Sequence, residues 1–170
     1  MKKKVLIIIP AYNEELNIEK VVKDITKNAK GVDYIIVNDC SKDNTALICQ
    51  KNKYNHINLF ANLGLAGAVQ TGFLYAYEND YDIAIQFDGD GQHLAKYIKD
   101  LVLAIEEGYN IAIGSRFLKE KRKKSLRMLG SAIITFLIKI MTGKTIKDPT
   151  SGMRAYDKET IKEFATAMNN

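Results

Sequence analysis

The chain has 170 residues, of which 46% are apolar, and its 25 basic and 20 acidic side chains give a net charge of +5. This length suits a single domain that folds without disulfides, and the two cysteines, Cys40 and Cys49, lack a metal-ligand spacing. No apolar run reaches the roughly 18 residues that a bilayer crossing requires. We therefore expect a reduced, cytoplasmic protein rather than a secreted or membrane-spanning one.

Short apolar runs alternate with helical patterns along the chain, which predicts an α/β fold with a mostly parallel sheet. The predicted strands cover residues 4–9, 33–38, 57–60, 83–87 and 110–114. The predicted helices cover residues 14–29, 43–53, 65–78, 94–107 and 125–141, followed by further helical residues at the end of the chain. The first helix has an apolar stripe of Leu16, Val21, Val22, Ile25 and Ala29.

Polar segments follow four of the predicted strands. They lie at residues 10–14, 38–43, 88–92 and 115–116. In open α/β sheets, ligands bind beyond the carboxyl ends of the strands. The sequence therefore predicts one binding site to which all four segments contribute.

Two carboxylates, Asp88 and Asp90, follow the strand at 83–87. Residues two apart in an extended chain point the same way, so both can face one hard cation shared with a substrate phosphate. A calcium loop of the EF-hand type is disfavoured because Lys99 stands where a glutamate is required. An aspartate-nucleophile phosphatase needs a small hydroxyl residue where Gln92 stands, and a plain turn built from Asp-Gly steps is the remaining alternative.

Six segments of the chain are considered together. They are residues 9–15, 37–45, 62–72, 88–90, 114–117 and 148–154. In this order they resemble the family 2 glycosyltransferases, and among them the polyprenyl-phosphate glycosyltransferases similar to dolichyl-phosphate mannose synthase. This resemblance implies a GT-A fold, a nucleotide-binding, Rossmann-like three-layer sandwich around a mostly parallel central sheet. It implies one catalytic domain over residues 1–170, either a natural short form or a domain truncated at its C-terminal end.

The resemblance implies a role for particular residues in binding the nucleotide sugar. Glu14 has an alternative role as a favourable charge at a helix N-terminus, and Asp39 as a turn or capping residue. The small residues near Gly64 either admit a diphosphate or allow close helix packing. The predicted nucleotide-sugar-binding residues are Pro10, Tyr12, Glu14, Asp39, Gly64 and Asp88.

The remaining implied roles concern the metal, the acceptor and catalysis. Asp90 and Gln92 are expected to hold Mg²⁺ or Mn²⁺, while His93 is expected to be structural. Arg116 and Arg127 are expected to bind an acceptor phosphate, with surface charge as the alternative. The predicted catalytic residues are Asp88, Asp90 and Asp148, where Asp148 acts as base for a hydroxyl acceptor or, alternatively, forms an Asp-Pro turn.

The implied reaction is the inverting transfer of a sugar from a UDP- or GDP-sugar to a polyprenyl phosphate, in cell-envelope glycan synthesis. The alternative is a nucleotide-sugar-binding module with little or no transferase activity. A basic segment at residues 119–127 and the amphipathic pattern at 125–141 suggest docking on the inner face of the membrane, although a solvated loop and core packing also explain them. Nucleic acid is not expected as a partner, because no aromatic residue interrupts the basic segment.

Overall fold

A computed structural model of the protein describes residues 3–91, 93–114 and 151–167. The strands are β1 (Val5–Ala11), β2 (Asp33–Asn38), β3 (His56–Asn58), β4 (Ile83–Phe87), β5 (Ile111–Ile113) and β6 (Met153–Asp157). The helices are α1 (Ile18–Asn28), α2 (Thr45–Lys51), α3 (Gly64–Glu78), α4 (Ile98–Glu106) and α5 (Lys158–Thr166), and a 3₁₀ turn at Ala95–Tyr97 leads into α4.

The described strands form one six-stranded sheet in the order β3-β2-β1-β4-β6-β5. The neighbours among β1 to β4 pair in parallel, whereas β6 runs antiparallel to both β4 and β5. The predicted α/β class with a mostly parallel sheet is therefore confirmed. β6 was not predicted, because Arg154 and Asp157 interrupt its apolar character and its partners lie far away in the sequence.

The core lies on both faces of the sheet. Every residue of β1 is buried, and alternate side chains point to opposite faces. Ile7 and Ile9 belong to the apolar cluster that includes α1 and α4, while Leu6 and Ile8 belong to the cluster that includes α3 and α5. Burial on both faces explains why the first strand reads as a continuous apolar run.

The start of α1 differs from the prediction. The helix begins at Ile18 instead of residue 14, and Leu16 is 78% exposed, so its assignment to the apolar stripe was wrong. Ile18 is fully buried and takes that place. The chain turns before the helix because the N–H of Glu14 donates to Thr45 at the start of α2 and the N–H of Glu15 donates to Asp43 in the loop after β2.

Gly72 sets the distance between α3 and β1, and its replacement by alanine tests that distance. A Cβ added at Gly72 overlaps Cγ2 of Ile8 and lies 3.0 Å from its Cγ1. Alanine normally stabilises a helix interior by about 1 kcal/mol relative to glycine, whereas overpacking a core costs about 1–3 kcal/mol. We expect Gly72→Ala to lower the free energy of unfolding in urea; a more stable variant would contradict the close packing.

Candidate active site

A cavity of about 420 Å³ opens at the carboxyl ends of β1, β2 and β4, beside the start of α3. All six residues predicted to bind the nucleotide sugar line this cavity, and so does Asp90. The structure therefore brings these residues together, although their individual roles remain predictions. The lining residues are Pro10, Ala11, Tyr12, Glu14, Asp39, Asn62, Gly64, Leu65, Ala68, Asp88, Gly89 and Asp90.

The loop after β1 is held against the loop after β2 by reciprocal hydrogen bonds. The N–H of Asn13 donates to Oγ of Ser41 (3.0 Å), and Oδ1 of Asn13 accepts from the N–H of Lys42 (2.8 Å). The N–H of Glu15 donates to Oδ2 of Asp43 (3.0 Å). Because both loops border the cavity, these bonds fix the shape of its rim.

Tyr12 and Glu14 lie on that rim. The ring of Tyr12 is 42% exposed at the cavity, where a planar group can pack against it. Oε2 of Glu14 accepts from Nδ2 of Asn17 (2.9 Å), and the N–H of Glu14 donates to Oγ1 of Thr45 (2.8 Å). Glu14 thus combines a cavity position with a local role in the turn before α1.

Asp39 is 3% exposed and links β2 to the start of α3. Its Oδ1 accepts from the N–H of Leu63 (2.7 Å), and its own N–H donates to the carbonyl of Ala11 (2.9 Å). The carboxylate therefore supports the turn before α3 in addition to lining the cavity.

Asn38, the residue before Asp39, belongs to a buried amide network. Its Nδ2 donates to Oδ1 of Asn58 (2.8 Å), and its Oδ1 accepts from Oγ of Ser41 (2.5 Å). Both ends of the amide are satisfied, and the residue is outside the cavity lining. Asp39, directly after β2, is therefore the residue of this pair that lines the cavity.

Gly64 begins α3 at the cavity with a left-handed φ of +73°, a conformation that favours glycine. The first N–H groups of a helix lack intrahelical acceptors and attract anions, so this end of α3 suits a diphosphate. Gly67 has a different role, because a Cβ added there overlaps the Leu63 side chain. Gly64 thus lies at the cavity, whereas Gly67 is confined by Leu63 at the start of its own helix and not by the sheet.

The Asp88 carboxylate lies between β4 and the start of β6. Its Oδ1 accepts from Nε2 of Gln86 (3.1 Å), and the Asp88 N–H donates to the carbonyl of Gly152 (3.3 Å). A Cβ added at Gly152 overlaps this carboxylate. The next residue, Gly89, is also confined, since a Cβ there lies 3.0 Å from the Pro10 carbonyl oxygen.

Burial raises the pKa of the Asp88 carboxyl above its ordinary value. The hydrogen bond from Gln86 and the charges of His93 and Arg154 oppose this rise, and the neighbouring charge of Asp90 adds to it. The carboxylate therefore lies in a site where a cationic ligand stabilises its ionised form.

The far end of the loop that carries Asp88 and Asp90 is anchored in the core. His93 is buried and meets the Phe87 ring edge to face, with ring centres 5.9 Å apart, in keeping with the structural role expected for it. Oδ2 of Asp24, on α1, accepts from the N–H of Ala95 (2.8 Å). The first turn of the next helix is thus capped from another helix, which the local sequence does not reveal.

The donor set at the cavity fits a hard divalent cation. Asp88 and Asp90 both line the cavity, and carboxylate oxygens are the ligand type that Mg²⁺ and Mn²⁺ prefer when they share their coordination with a substrate phosphate. Within the part of the chain that the structure describes, no group of three or more His, Cys, Asp or Glu side chains is placed to hold a metal ion.

Four predicted site residues, Gln92, Arg116, Arg127 and Asp148, lie outside the described residues. The basic segment 119–127 and the predicted helix 125–141 lie outside them as well. None of the helices in residues 3–91, 93–114 and 151–167 is both long enough and apolar enough to cross a bilayer.

The chain matches the family model for glycosyl transferase family 2 over residues 6–164. It therefore belongs to glycosyl transferase family 2 and is a glycosyltransferase domain, as its resemblance indicated. It is 34% identical to the UDP-N-acetylglucosamine–dolichyl-phosphate N-acetylglucosaminyltransferase of Methanococcus voltae, in a match that covers 94% of this chain and 72% of that protein. It is 36% identical to the dolichol-phosphate mannosyltransferase of Pyrococcus furiosus, covering 94% of this chain and 47% of that enzyme.

Among solved structures, the chain resembles glucosyl-3-phosphoglycerate synthase from Mycobacterium tuberculosis, crystallised with Mn²⁺, UDP-glucose and phosphoglyceric acid. The TM-score is 0.74 at 20% identity, and the match covers 92% of this chain and 57% of that one. This likeness confirms the GT-A fold. The chain spans little more than half of that synthase and about half of the Pyrococcus enzyme.

Proposed function

We propose that the chain transfers a sugar from a nucleotide-diphosphate sugar to a polyprenyl phosphate, with inversion and with help from Mg²⁺ or Mn²⁺. The observation that carries the proposal is the single cavity that joins Asp39, the start of α3, Asp88 and Asp90. The named activities of the Methanococcus and Pyrococcus relatives support a lipid-phosphate acceptor.

The cavity residues divide into groups with different tasks. Tyr12, Glu14 and Asp39 lie where a nucleobase and ribose can pack and hydrogen-bond, and the start of α3 supplies N–H groups for the diphosphate. Asp88 is directed to the sugar nucleotide, and Asp90 with Gln92 would hold the metal. When bound, a divalent cation neutralises negative charge on the departing diphosphate.

A phosphate acceptor simplifies the chemistry that the protein must supply. The acceptor oxygen is already anionic, so the in-line displacement needs no strong general base. The protein has to align the acceptor oxygen with the anomeric carbon on the side opposite the diphosphate. Arg116 and Arg127 are proposed to bind the acceptor phosphate, and Asp148 becomes the candidate base only for a hydroxyl acceptor. With a polyprenyl phosphate as acceptor, the proposed place of the reaction is the inner membrane surface.

A thermal-shift screen of UDP- and GDP-sugars, with and without Mn²⁺, tests the donor site. A ligand at 100 times its dissociation constant stabilises a protein by about 2.7 kcal/mol, which corresponds to a rise in melting temperature of about 5–10 °C for a chain of this size. We expect such a rise for one nucleotide class, and a larger rise with Mn²⁺ than without it. Absence of a shift with every donor would contradict the proposed site.

Transfer itself is measured with the stabilising donor and a short-chain polyprenyl phosphate, by following release of the nucleoside diphosphate. The matched control is the corresponding polyprenol, which lacks the phosphate. We expect turnover with the phosphate and none with the alcohol. Donor binding without transfer to either acceptor would identify a binding module instead of a transferase.

A further inference from the structure

The side chain of Gln86 lies within the sheet, one alternation before Asp88, and is 8% exposed. Residues two apart in a strand project to the same face, so Gln86 lies directly behind Asp88. Its amide reaches the carboxylate at 3.1 Å. A buried polar side chain in a central strand normally costs stability unless it is satisfied, so this amide needs a partner.

The direction of this hydrogen bond is determined by the partner. An ionised carboxylate can only accept, so the amide group of Gln86 that faces Asp88 must be the NH₂ group. The hydrogen bond from Gln86 fixes Oδ1 of Asp88. The carboxylate also fills the space that a side chain at position 152 would occupy, which only glycine leaves free. Asp88 is therefore held by two neighbours, Gln86 in β4 and Gly152 directly before β6.

Arg154 completes the surroundings of this carboxylate. In the antiparallel register Arg154 pairs with Gln86, so the two side chains project to the same face of the sheet. Nε of Arg154 donates to the Ser151 carbonyl (2.8 Å), which orients the guanidinium at the start of β6. Its positive charge acts on Asp88.

From these contacts we infer that Gln86 is a positioning residue for Asp88: with Gly152 it holds the carboxylate in the orientation in which it meets the sugar nucleotide. This inference rests on the proposed function for the identity of the ligand. The hydrogen bond between Gln86 and Asp88 can be tested in the absence of any ligand. The inference and the proposed function can therefore fail separately.

Two variants of Gln86 test the inference. Gln86→Met keeps the length of the side chain and removes the donor, whereas Gln86→Glu keeps the shape and turns an acceptor toward the carboxylate. Because hydrogen bonds to charged groups are among the stronger ones, we expect kcat/KM for the donor sugar to fall by about 10- to 100-fold in Gln86→Met and by more in Gln86→Glu. KM for the acceptor should stay within about twofold of wild type, since loss of this one bond leaves acceptor contacts intact.

Gln70→Met is the matched control. Nε2 of Gln70 donates to the carbonyl of Phe164 (3.2 Å), which links α3 to α5, and the residue is outside the cavity lining. The control loses an amide hydrogen bond of similar length, at a more exposed position, and should keep wild-type kinetics. An equal kinetic loss in Gln70→Met and Gln86→Met would show a general effect on stability and overturn the inference.

A ligand-free crystal structure of Gln86→Met gives a readout that is independent of activity. We expect the Asp88 carboxylate to leave its place beside Gly152 while the pairing of β4 with β6 is kept. An Asp88 side chain that stays within about 0.5 Å of its wild-type position would overturn the inference, even if the wild-type protein transferred no sugar. Conversely, displacement of Asp88 in an inactive protein would support the positioning role and count only against the proposed function.

Discussion

Replacement of Asp90 by alanine is expected to remove nearly all metal-dependent sugar transfer. Asp90 lines the cavity beside Asp88, and its carboxylate belongs to the oxygen donor set that fits a divalent cation. Its removal deprives the departing diphosphate of charge stabilisation, and loss of one such electrostatic contribution lowers turnover by about 10²–10³-fold or more. The measurement is kcat at saturating donor over a range of Mn²⁺ concentrations.

Asp100→Ala provides the control for this prediction. Asp100 is an exposed carboxylate in the first turn of α4, away from the cavity lining. It should retain wild-type activity and the wild-type dependence on Mn²⁺. Full activity of Asp90→Ala would refute the assignment of the metal to this carboxylate.

Gly152→Ala is expected to cost both activity and stability, because the added methyl group occupies space that the Asp88 carboxylate fills. Either the carboxylate moves or β6 shifts relative to β4. Displacement of a substrate-positioning group by about 1 Å can lower the rate by about 100-fold, and overpacking costs about 1–3 kcal/mol. We expect kcat/KM for the donor to fall by about that factor, and urea unfolding to shift to lower concentration.

Gly114→Ala separates the local effect from a general effect of adding a methyl group at this end of the sheet. Gly114 also contacts β6, but a Cβ added there lies 3.3 Å from the Met153 carbonyl oxygen and does not reach Asp88. A small adjustment accommodates it, so activity should remain close to wild type. If Gly114→Ala and Gly152→Ala lost activity equally, contact with Asp88 would not explain the loss.

The strands β1 to β4 could be predicted from the sequence because their signal is local. Val5–Ala11 and Ile83–Phe87 are continuous or nearly continuous apolar runs, each followed by polar turn residues. β6 could not be predicted in this way, because Arg154 and Asp157 interrupt its apolar pattern and its partner strands β4 and β5 lie far away in the sequence. The start of α1 was missed for a similar reason, since its preceding turn is held by the loop after β2.

The residues of the candidate site also fall into those that the local sequence predicts and those that depend on contacts made by the fold. Pro10 lies near the end of β1, and Asp39 and Asp88 directly follow β2 and β4, so the expectation that the carboxyl ends of parallel strands meet was sufficient to group them. Gln86, Asp24 and Gly152 were not recognised, because each acts on the site through a partner that is a property of the fold. The motif at 148–154 contained the available signal for Gly152: a glycine beside two small hydroxyl residues marks a place where another chain segment approaches closely.

The position of β6 between β4 and β5 imposes an order on folding. Among the described strands β5 pairs with β6 alone, so its backbone ladder can form only after a later part of the chain has arrived. We expect the amide protons of β5 and β6 to exchange with solvent together, in an opening that also releases Asp88 from Gly152. Because Asp88 lines the cavity, we expect a ligand bound there to slow this exchange.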